Sequence, residues 1–575
     1  MRIIILTMVL LGAPALALST LANPLNDAGG IDAYLYLALI HDPTQILKRF
    51  GTTYYSNRIA FTLPNRLYLL ALGDWHGYIA MRYTYLCAAT ASVYGIARSY
   101  YLSRIAIFSA ILFCFNPWFI RSIMWDYVDG ATITYLFVSL YLISTGGRYS
   151  IRYHALGGIV LAFAINCNTF ALGVAACFGF PWLIIHLKAG ARQCARMAAV
   201  FVIGLMIGYA VILSLQYMQA PWLGFWQERL TWAYALWSFN SAKPSWCVPL
   251  LRHLSFGNYY LLTVMPVLVA VIAAAAQPRL RSKIDLFGVA ASAFLFIILF
   301  FFAIMQFVRH YPIITLFYYF DYALPAVTFA LIALVGMISP RLRRVDDIVG
   351  YFAGIASILI LWIAARHLRV VIDWIPLNIY ALVIALSIGV AVVVRSRSWA
   401  WGGLVTFIIA VNSMFYYGPH GTNEYAKLHS SEMYESARDE RRASLFLLDT
   451  VGRAVPPEDG KVGFWYGSDK EDSKFMSIQS IFFYEYSLVS LPPAHGMPHI
   501  DKNIRGRMMG YDYLVLLARD RGKIDAGLRA LQDDGASIQE IKRETFHGHM
   551  LNYEMSIIRF KGPARCAIDP ACLDI

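Results

Sequence analysis

The feature that most constrains this chain is the recurrence of apolar runs of about 17 to 25 residues, the length that crosses the hydrocarbon core of a bilayer. They fall near 3–22, 81–97, 105–121, 130–145, 155–170, 172–187, 197–217, 260–277, 284–307, 314–338, 348–365, 375–394 and 399–417, about thirteen helices. Hydrophobic residues make up 59% of the 575 and charged residues only 14%, too few charges for a soluble surface of that size. The chain therefore reads as an α-helical polytopic membrane protein. Its net charge of +13 does not point to nucleic acid, because the basic residues come in short clusters between apolar runs, as in cytoplasmic loops.

Alternate loops carry those clusters: Arg98 and Arg104; Arg148 and Arg152; Lys188, Arg192 and Arg196; Arg279, Arg281 and Lys283; Arg341, Arg343 and Arg344; Arg395 and Arg397. The positive-inside rule places all of them in the cytoplasm and everything after Tyr417 on the opposite face. The first run, led by Met1-Arg2 and ending in small residues at Ala15 to Ala22, also fits a cleavable signal peptide. Both readings export the loop that follows, and a retained first helix is the reading adopted here.

Three blocks result: an exported loop over 23–80, a bundle to residue 417, and an exported, periplasmic tail over 418–575. Within the first loop, residues 31–50 and 58–73 have apolar residues at helical spacing and read as interfacial helices. The stretch 219–259 holds Trp222, Trp226, Trp232, Trp237 and Trp246, rings that settle at headgroup level. The tail reads as a small α/β domain: a polar helix near 431–454, strands at Val462 to Tyr466 and Tyr513 to Leu517, a helix over 522–534, and a strand from Tyr553 to Phe560. Cys566 and Cys572 there suit a disulfide in an oxidising compartment, whereas Cys87, Cys114, Cys167, Cys177 and Cys194 read as packing residues.

Carboxylates at a membrane surface are costly unless they have work to do. Asp27 precedes a Gly-Gly turn, and Asp32 opens the interfacial helix in Asp32-Ala-Tyr-Leu-Tyr. Asp32 suits a helix N-cap, or a base that deprotonates an acceptor hydroxyl, or a ligand for a divalent metal. Asp126 and Asp129, at i and i+3 before a span, can turn both carboxylates to one face. Cations on the same side, Arg58, Arg66, Arg309 with His310, and Arg366 with Arg369, either snorkel into headgroups or bind phosphate. Arg58 and Arg309 are the stronger phosphate-binding candidates. Asp321, in Tyr318-Tyr-Phe-Asp-Tyr322, reads as an intramembrane carboxylate.

The Asp-x-Tyr-x-Tyr after the first helix and the Asp-x-x-Asp before the fourth resemble the GT-C glycosyltransferases, a superfamily that includes oligosaccharyltransferases, protein mannosyltransferases and aminoarabinose transferases. The stretch Asn26 to Leu70, with Thr53-Tyr-Tyr-Ser-Asn-Arg58 and Leu63-Pro64, looks most like bacterial family-39-like members. The resemblance implies an exported active site and a donor sugar carried on polyprenyl phosphate. It also implies an envelope glycan, lipid or protein acceptor. Asp32 takes the place of the catalytic acidic residue. Asp129 or Asp126 takes that of the second-loop residue, so that Asp32 and Asp129 become candidate ligands for Mg or Mn. The first loop lacks the Asp-Glu pair of the mannosyltransferases, and the tail lacks the Trp-Trp-Asp run of the oligosaccharyltransferases, which argues against transfer to asparagine. Two other functions stay open on the residues alone: a transporter or flippase for a lipid-linked glycan, and an envelope glycan polymerase.

Overall fold

The computed structural model describes residues 6–19, 56–114, 116–124, 128–145, 150–219, 286–309, 321–338, 449–455, 462–466, 512–533 and 535–561, with single positions between 36 and 44, at 319, and between 439 and 447. Two compact units divide the chain: Met1–Pro24 with Thr52–His429, and Leu25–Gly51 with Ser430–Ile575. Asp27, Asp32, Asp126, His310, Arg366 and Arg369, the Trp-rich stretch and Cys566 with Cys572 lie outside the described residues, as do the spans expected near 260–277, 348–365, 375–394 and 399–417.

In the first unit, a π-helical turn at Met8–Gly12 leads into α1 (Ala13–Ser19). The long α2 (Ile59–Tyr100) is two helices joined at Gly73, where φ is +74°. Only glycine adopts that conformation without steric penalty, so the expected interfacial helix ends at Gly73 and the span begins beyond it. The run near 105–121 is not one helix but two, α3 (Ser103–Cys114) and α4 (Pro117–Met124). Asn116 caps the second: its Oδ1 accepts from the Phe119 N–H at 3.2 Å. Next come α5 (Asp129–Thr145), α6 (Ile151–Cys167), α7 (Phe170–His186) and α8 (Ala191–Gln219), then α9 (Leu286–Ala303) and α10 (Leu324–Ile338). Among the described residues, three stretches are long and apolar enough to cross a membrane: Phe170–Ala189, Ala191–Gln219 and Leu286–Gln306.

Glycines set the closest helix pair. A Cβ on Gly158 of α6 would meet Phe201 O of α8 at 2.1 Å, and one on Gly204 of α8 would meet Ala155 O at 2.1 Å. Gly208, four residues on, faces the Ile159 carbonyl in the same way. Lipid supplies no hydrophobic drive between helices, so close backbone approach through small residues is what holds such a pair.

Among the described residues of the second unit, four strands run in the order β1-β2-β4-β3: β1 (Val462–Tyr466), β2 (Tyr513–Ala518), β3 (Ile538–His547) and β4 (Asn552–Phe560). β1 is parallel to β2, and β4 is antiparallel to both β2 and β3. Every residue of β2 is buried, because both of its faces are covered. Tyr513, Val515 and Leu517 pack with Tyr553 and Ile557 against Ala443, Leu447 and Val451, while Leu514, Leu516 and Ala518 pack with Trp465 and Ile558 against Ile524 and Leu531 of α11 (Arg521–Asp533). The buried Asp439 carboxylate accepts from the Met550 and Leu551 N–H groups and holds the β3–β4 turn.

Candidate active site

Arg58 precedes α2, its carbonyl accepting from Phe61 N and Thr62 N, and its side chain is only 4% exposed. A guanidinium cannot be deprotonated to escape burial, so it must find acceptors. Arg58 Nη1 donates to the carbonyl of Cys167 at 2.5 Å. That carbonyl is open because it belongs to the last turn of α6. The residues on either side of Cys167 complete the junction. Asn166 Oδ1 accepts from Ala60 N at 2.8 Å, and its Nδ2 donates to Asn57 O at 3.0 Å, which also accepts from Gln216 Nε2 of α8 at 3.2 Å. The start of α2 is thus tied to the ends of α6 and α8.

Asn168 links this junction to Asp129. Its Oδ1 accepts from Phe170 N at 3.1 Å and caps α7, while its Nδ2 donates to Asp129 Oδ1 at 3.1 Å. The same oxygen accepts from the Tyr322 hydroxyl at 2.6 Å, and the Arg58 guanidinium lies within electrostatic reach of the carboxylate. Asp129 is 1% exposed, and its Oδ2 has no hydrogen-bond partner among the described residues. One oxygen is therefore held by two donors, and the other is left to accept from a ligand. Asp321, beside Tyr322, accepts from Ser122 Oγ at 2.6 Å.

Asp321 sits in the 3-10 turn Asp321–Ala323 that leads into α10, and its carboxylate reaches Ser122 of α4. Gly130 lets the start of α5 lie against the same end of α4: a Cβ there would meet Ser122 O at 2.5 Å. Of the other expected cations, Arg66 is half-buried on α2, and half-buried Arg309 closes the π turn Ile304–Val308 after α9. Phe302 of α9 packs on Phe170, which packs on Tyr322, so Arg309 follows α9 at the same end of the bundle as Asp129. Arg82, 1% exposed on α2, is a further buried cation that the sequence reading passed over.

No group of three or more His, Cys, Asp or Glu side chains able to hold a metal occurs among the described residues. Around Asp129 the neighbours are amides, a phenol and a guanidinium, a donor-rich set suited to an anion or a hydroxyl rather than a divalent cation. Asp32, the other ligand expected with Asp129, lies outside the described residues.

No protein-family model matches the sequence, and no curated protein matches it. Among solved structures, the chain is similar to ArnT from Cupriavidus metallidurans in the apo state, with a TM-score of 0.50 and 12% identity over 95% of this chain and 96% of that one. ArnT from the same organism bound to undecaprenyl phosphate matches at TM-score 0.49 and 12% identity, over 97% and 98% of the two chains. The Archaeoglobus fulgidus oligosaccharyltransferase in complex with Zn and sulfate matches at TM-score 0.39 and 12% identity, over 88% of this chain and 67% of that one. The likeness to ArnT shows a shared fold, the fold that the resemblance to the GT-C enzymes led one to expect.

Proposed function

We propose that this protein is an inverting membrane glycosyltransferase that moves one sugar from a polyprenyl-phosphate donor to an envelope glycan, lipid or protein acceptor at the non-cytoplasmic face of a bacterial inner membrane. The observation that carries the reading is the buried Arg58–Asp129 cluster, set at one end of apolar helices in a GT-C fold. Asp32 takes the proton of the acceptor hydroxyl as that oxygen attacks the anomeric carbon. The bond from that carbon to the phosphate oxygen breaks, and the leaving polyprenyl phosphate takes the electron pair. The transition state has oxocarbenium character, with negative charge growing on the phosphate. Arg58 and Arg309 stabilise that charge in a site of low dielectric. Asp129, fixed by Asn168 and Tyr322, orients Arg58 and offers Oδ2 to a hydroxyl of the sugar.

A flippase would place ionisable groups at many depths. The buried carboxylates described in the bundle, Asp129 and Asp321, are both at one end of it, where a surface reaction needs them. The test follows labelled sugar from native polyprenyl-linked donors into lipids and envelope glycans by mass spectrometry, in membranes carrying wild-type protein or Asp32→Asn. A labelled product present with wild type and absent with an equally abundant, inserted Asp32→Asn supports the reading. Equal product with both removes Asp32 from the reaction.

A further inference from the structure

Two adjacent residues of one turn, Asp321–Ala323, hold both sides of the connection between α4 and α5. The Asp321 carboxylate accepts from Ser122 Oγ, in the last turn of α4, at 2.6 Å. The Tyr322 hydroxyl donates to Asp129 Oδ1, in the first turn of α5, also at 2.6 Å. Only residues 125–128 join Met124 to Asp129, so the two ends of that short connection are held from one place.

The same two ends touch each other. A Cβ on Gly130 would meet not only Ser122 O but also the Ile123 Cα at 2.7 Å and the Ile123 N at 2.9 Å, so the last turn of α4 is the wall against which α5 begins. A helix of eight residues, Pro117–Met124, is too short to be rigid by its own hydrogen bonds. Its first turn is fixed by the Asn116 cap and by Phe119, which packs on Phe113 and Phe137 at 4.7 and 6.2 Å between centroids. Its last turn is held by Ser122 on Asp321. The turn that supplies this anchor is itself seated, because the Tyr322 ring stands edge-on to Phe170 of α7 at 5.2 Å.

Stability does not account for a carboxylate at this position. Ser122 and Asp321 are both buried, and taking a carboxylate out of water costs so much that well-packed apolar side chains often hold a core equally well or better. What the carboxylate adds is direction. A separation of 2.6 Å is that of a charge-assisted O–H···O⁻ bond, which sets a distance and an angle that apolar contact leaves loose. The group whose placement depends on that wall is Asp129, whose Oδ1 is already occupied by Asn168 and Tyr322.

We propose that Asp321 is a positioning residue for the transfer reaction: through Ser122 it sets the end of α4 on which α5 starts, and so holds Asp129 in register with the sugar of the donor. This rests on the glycosyltransferase reading of the Arg58–Asp129 cluster. Asp321 acts through Ser122 and Asp129, and touches no reacting atom. Without the Ser122 bond the first turn of α5 shifts on its support, and a displacement of about 1 Å at a group that contacts substrate costs on the order of a hundredfold in rate.

The test uses the full-length protein in nanodiscs with labelled polyprenyl-phosphate-sugar and envelope acceptor extract, and counts polyprenyl phosphate released per monodisperse protein, well below the thermal midpoint. Ser122→Ala and Asp321→Ala should each lower turnover about tenfold or more. The double variant should be no slower than Asp321→Ala, because the two changes break one bond. Asp321→Asn, whose amide oxygen still accepts from Ser122, should recover most of the loss, and Ser122→Ala carries the test if Asp321→Ala does not fold. Added polyprenyl phosphate, which lacks the sugar and meets Arg58 anchored on the Cys167 carbonyl, should inhibit wild type and variants at the same concentration. Wild-type turnover by Ser122→Ala, losses that multiply in the double variant, or inhibition that weakens in step with turnover, as a merely distorted bundle would give, each overturns the proposal. Asp129→Asn separates the two levels: undiminished release by that variant removes the reading of the site and this role of Asp321 with it, whereas its loss beside a fully active Ser122→Ala removes the role alone.

Discussion

A single methyl group on Gly158 should weaken the bundle, although the same change elsewhere strengthens it. The Cβ would stand 2.1 Å from Phe201 O and 2.7 Å from Leu205 N, where real Cβ atoms keep at least 3.0 Å from a neighbour. Those obstacles are backbone and cannot rotate aside, so α6 and α8 must part by about 1 Å. Overpacking of that kind costs about 1–3 kcal/mol, while Gly→Ala within a helix returns about 1 kcal/mol. At Gly158 and Gly204 the steric cost wins, and at Gly179, with nothing within 4 Å, the propensity gain wins. Gly158→Ala and Gly204→Ala should therefore lower the thermal midpoint of the detergent-solubilised protein, read by fluorescence-detected gel filtration, and Gly179→Ala should hold or raise it. The double variant falls short of the sum, because both methyl groups open one interface. The parting also moves Asn166 and Asn168, so activity falls with stability. Wild-type midpoints for both Gly158→Ala and Gly204→Ala would refute the packing argument.

Tyr322→Phe removes the 2.6 Å hydrogen bond to Asp129 Oδ1. A buried bond to a charged group contributes about 1.5–3 kcal/mol to the folded state, so the thermal midpoint should fall, and sugar transfer with it. Asn168→Ala strips both that oxygen and the cap of α7, so turnover and midpoint should fall together, the second by about 1 kcal/mol. Asp439→Ala leaves the N–H groups of Met550 and Leu551 without their acceptor. Hydrogen exchange of 548–552 in the intact chain should accelerate by an amount equivalent to about 1–3 kcal/mol. In the same domain, the hydrogen bond from Arg543 holds the Asp525 carboxyl below its ordinary range, and that from Lys542 does the same for Glu544. A folded-state pKa below the unfolded one gives stability that is complete above the unfolded value, about 4, and lost as pH falls through the folded value. Exchange protection of β3, corrected for intrinsic rates, should decline over that acid range, and Arg543→Gln should reduce the decline.

The spans were legible because length and apolar composition answer directly to bilayer thickness. The described helices fall on the runs near 130–145, 155–170, 172–187, 197–217 and 284–307. The break at Gly73 was legible as the end of the interfacial helix. Asn116 splits the run near 105–121 by capping, an effect that mean hydropathy does not register. In the tail, β2 showed as an unbroken apolar run, but β3 was invisible. Among the described strands it lies at the edge, reading Ile-Gln-Glu-Ile-Lys-Arg-Glu-Thr-Phe-His with mostly exposed or half-buried side chains, and edge strands carry charge to discourage pairing with other chains.

Arg58 and Asp129 were identified as an expensive cation and carboxylate near the bilayer surface. Their partners were not: the Cys167 carbonyl lies 109 residues from Arg58, and Asn168 and Tyr322 lie 39 and 193 residues from Asp129. Only folding brings them together. The signal available in hindsight is local: two Asn residues closing an apolar span, and a Tyr next to an intramembrane Asp.

Whether the Arg58–Asp129 cluster cleaves a lipid-linked sugar is decided by the purified full-length protein in nanodiscs, supplied with labelled polyprenyl-phosphate-sugar and envelope acceptor extract. The quantity to follow is free polyprenyl phosphate released per protein. Wild type should release it as acceptor is added, and Asp129→Asn and Arg58→Gln, at wild-type abundance and monodispersity, should each lose most of that release. Undiminished release by either folded variant, or donor that crosses the membrane of wild-type vesicles intact, would contradict a glycosyltransferase centred on these residues.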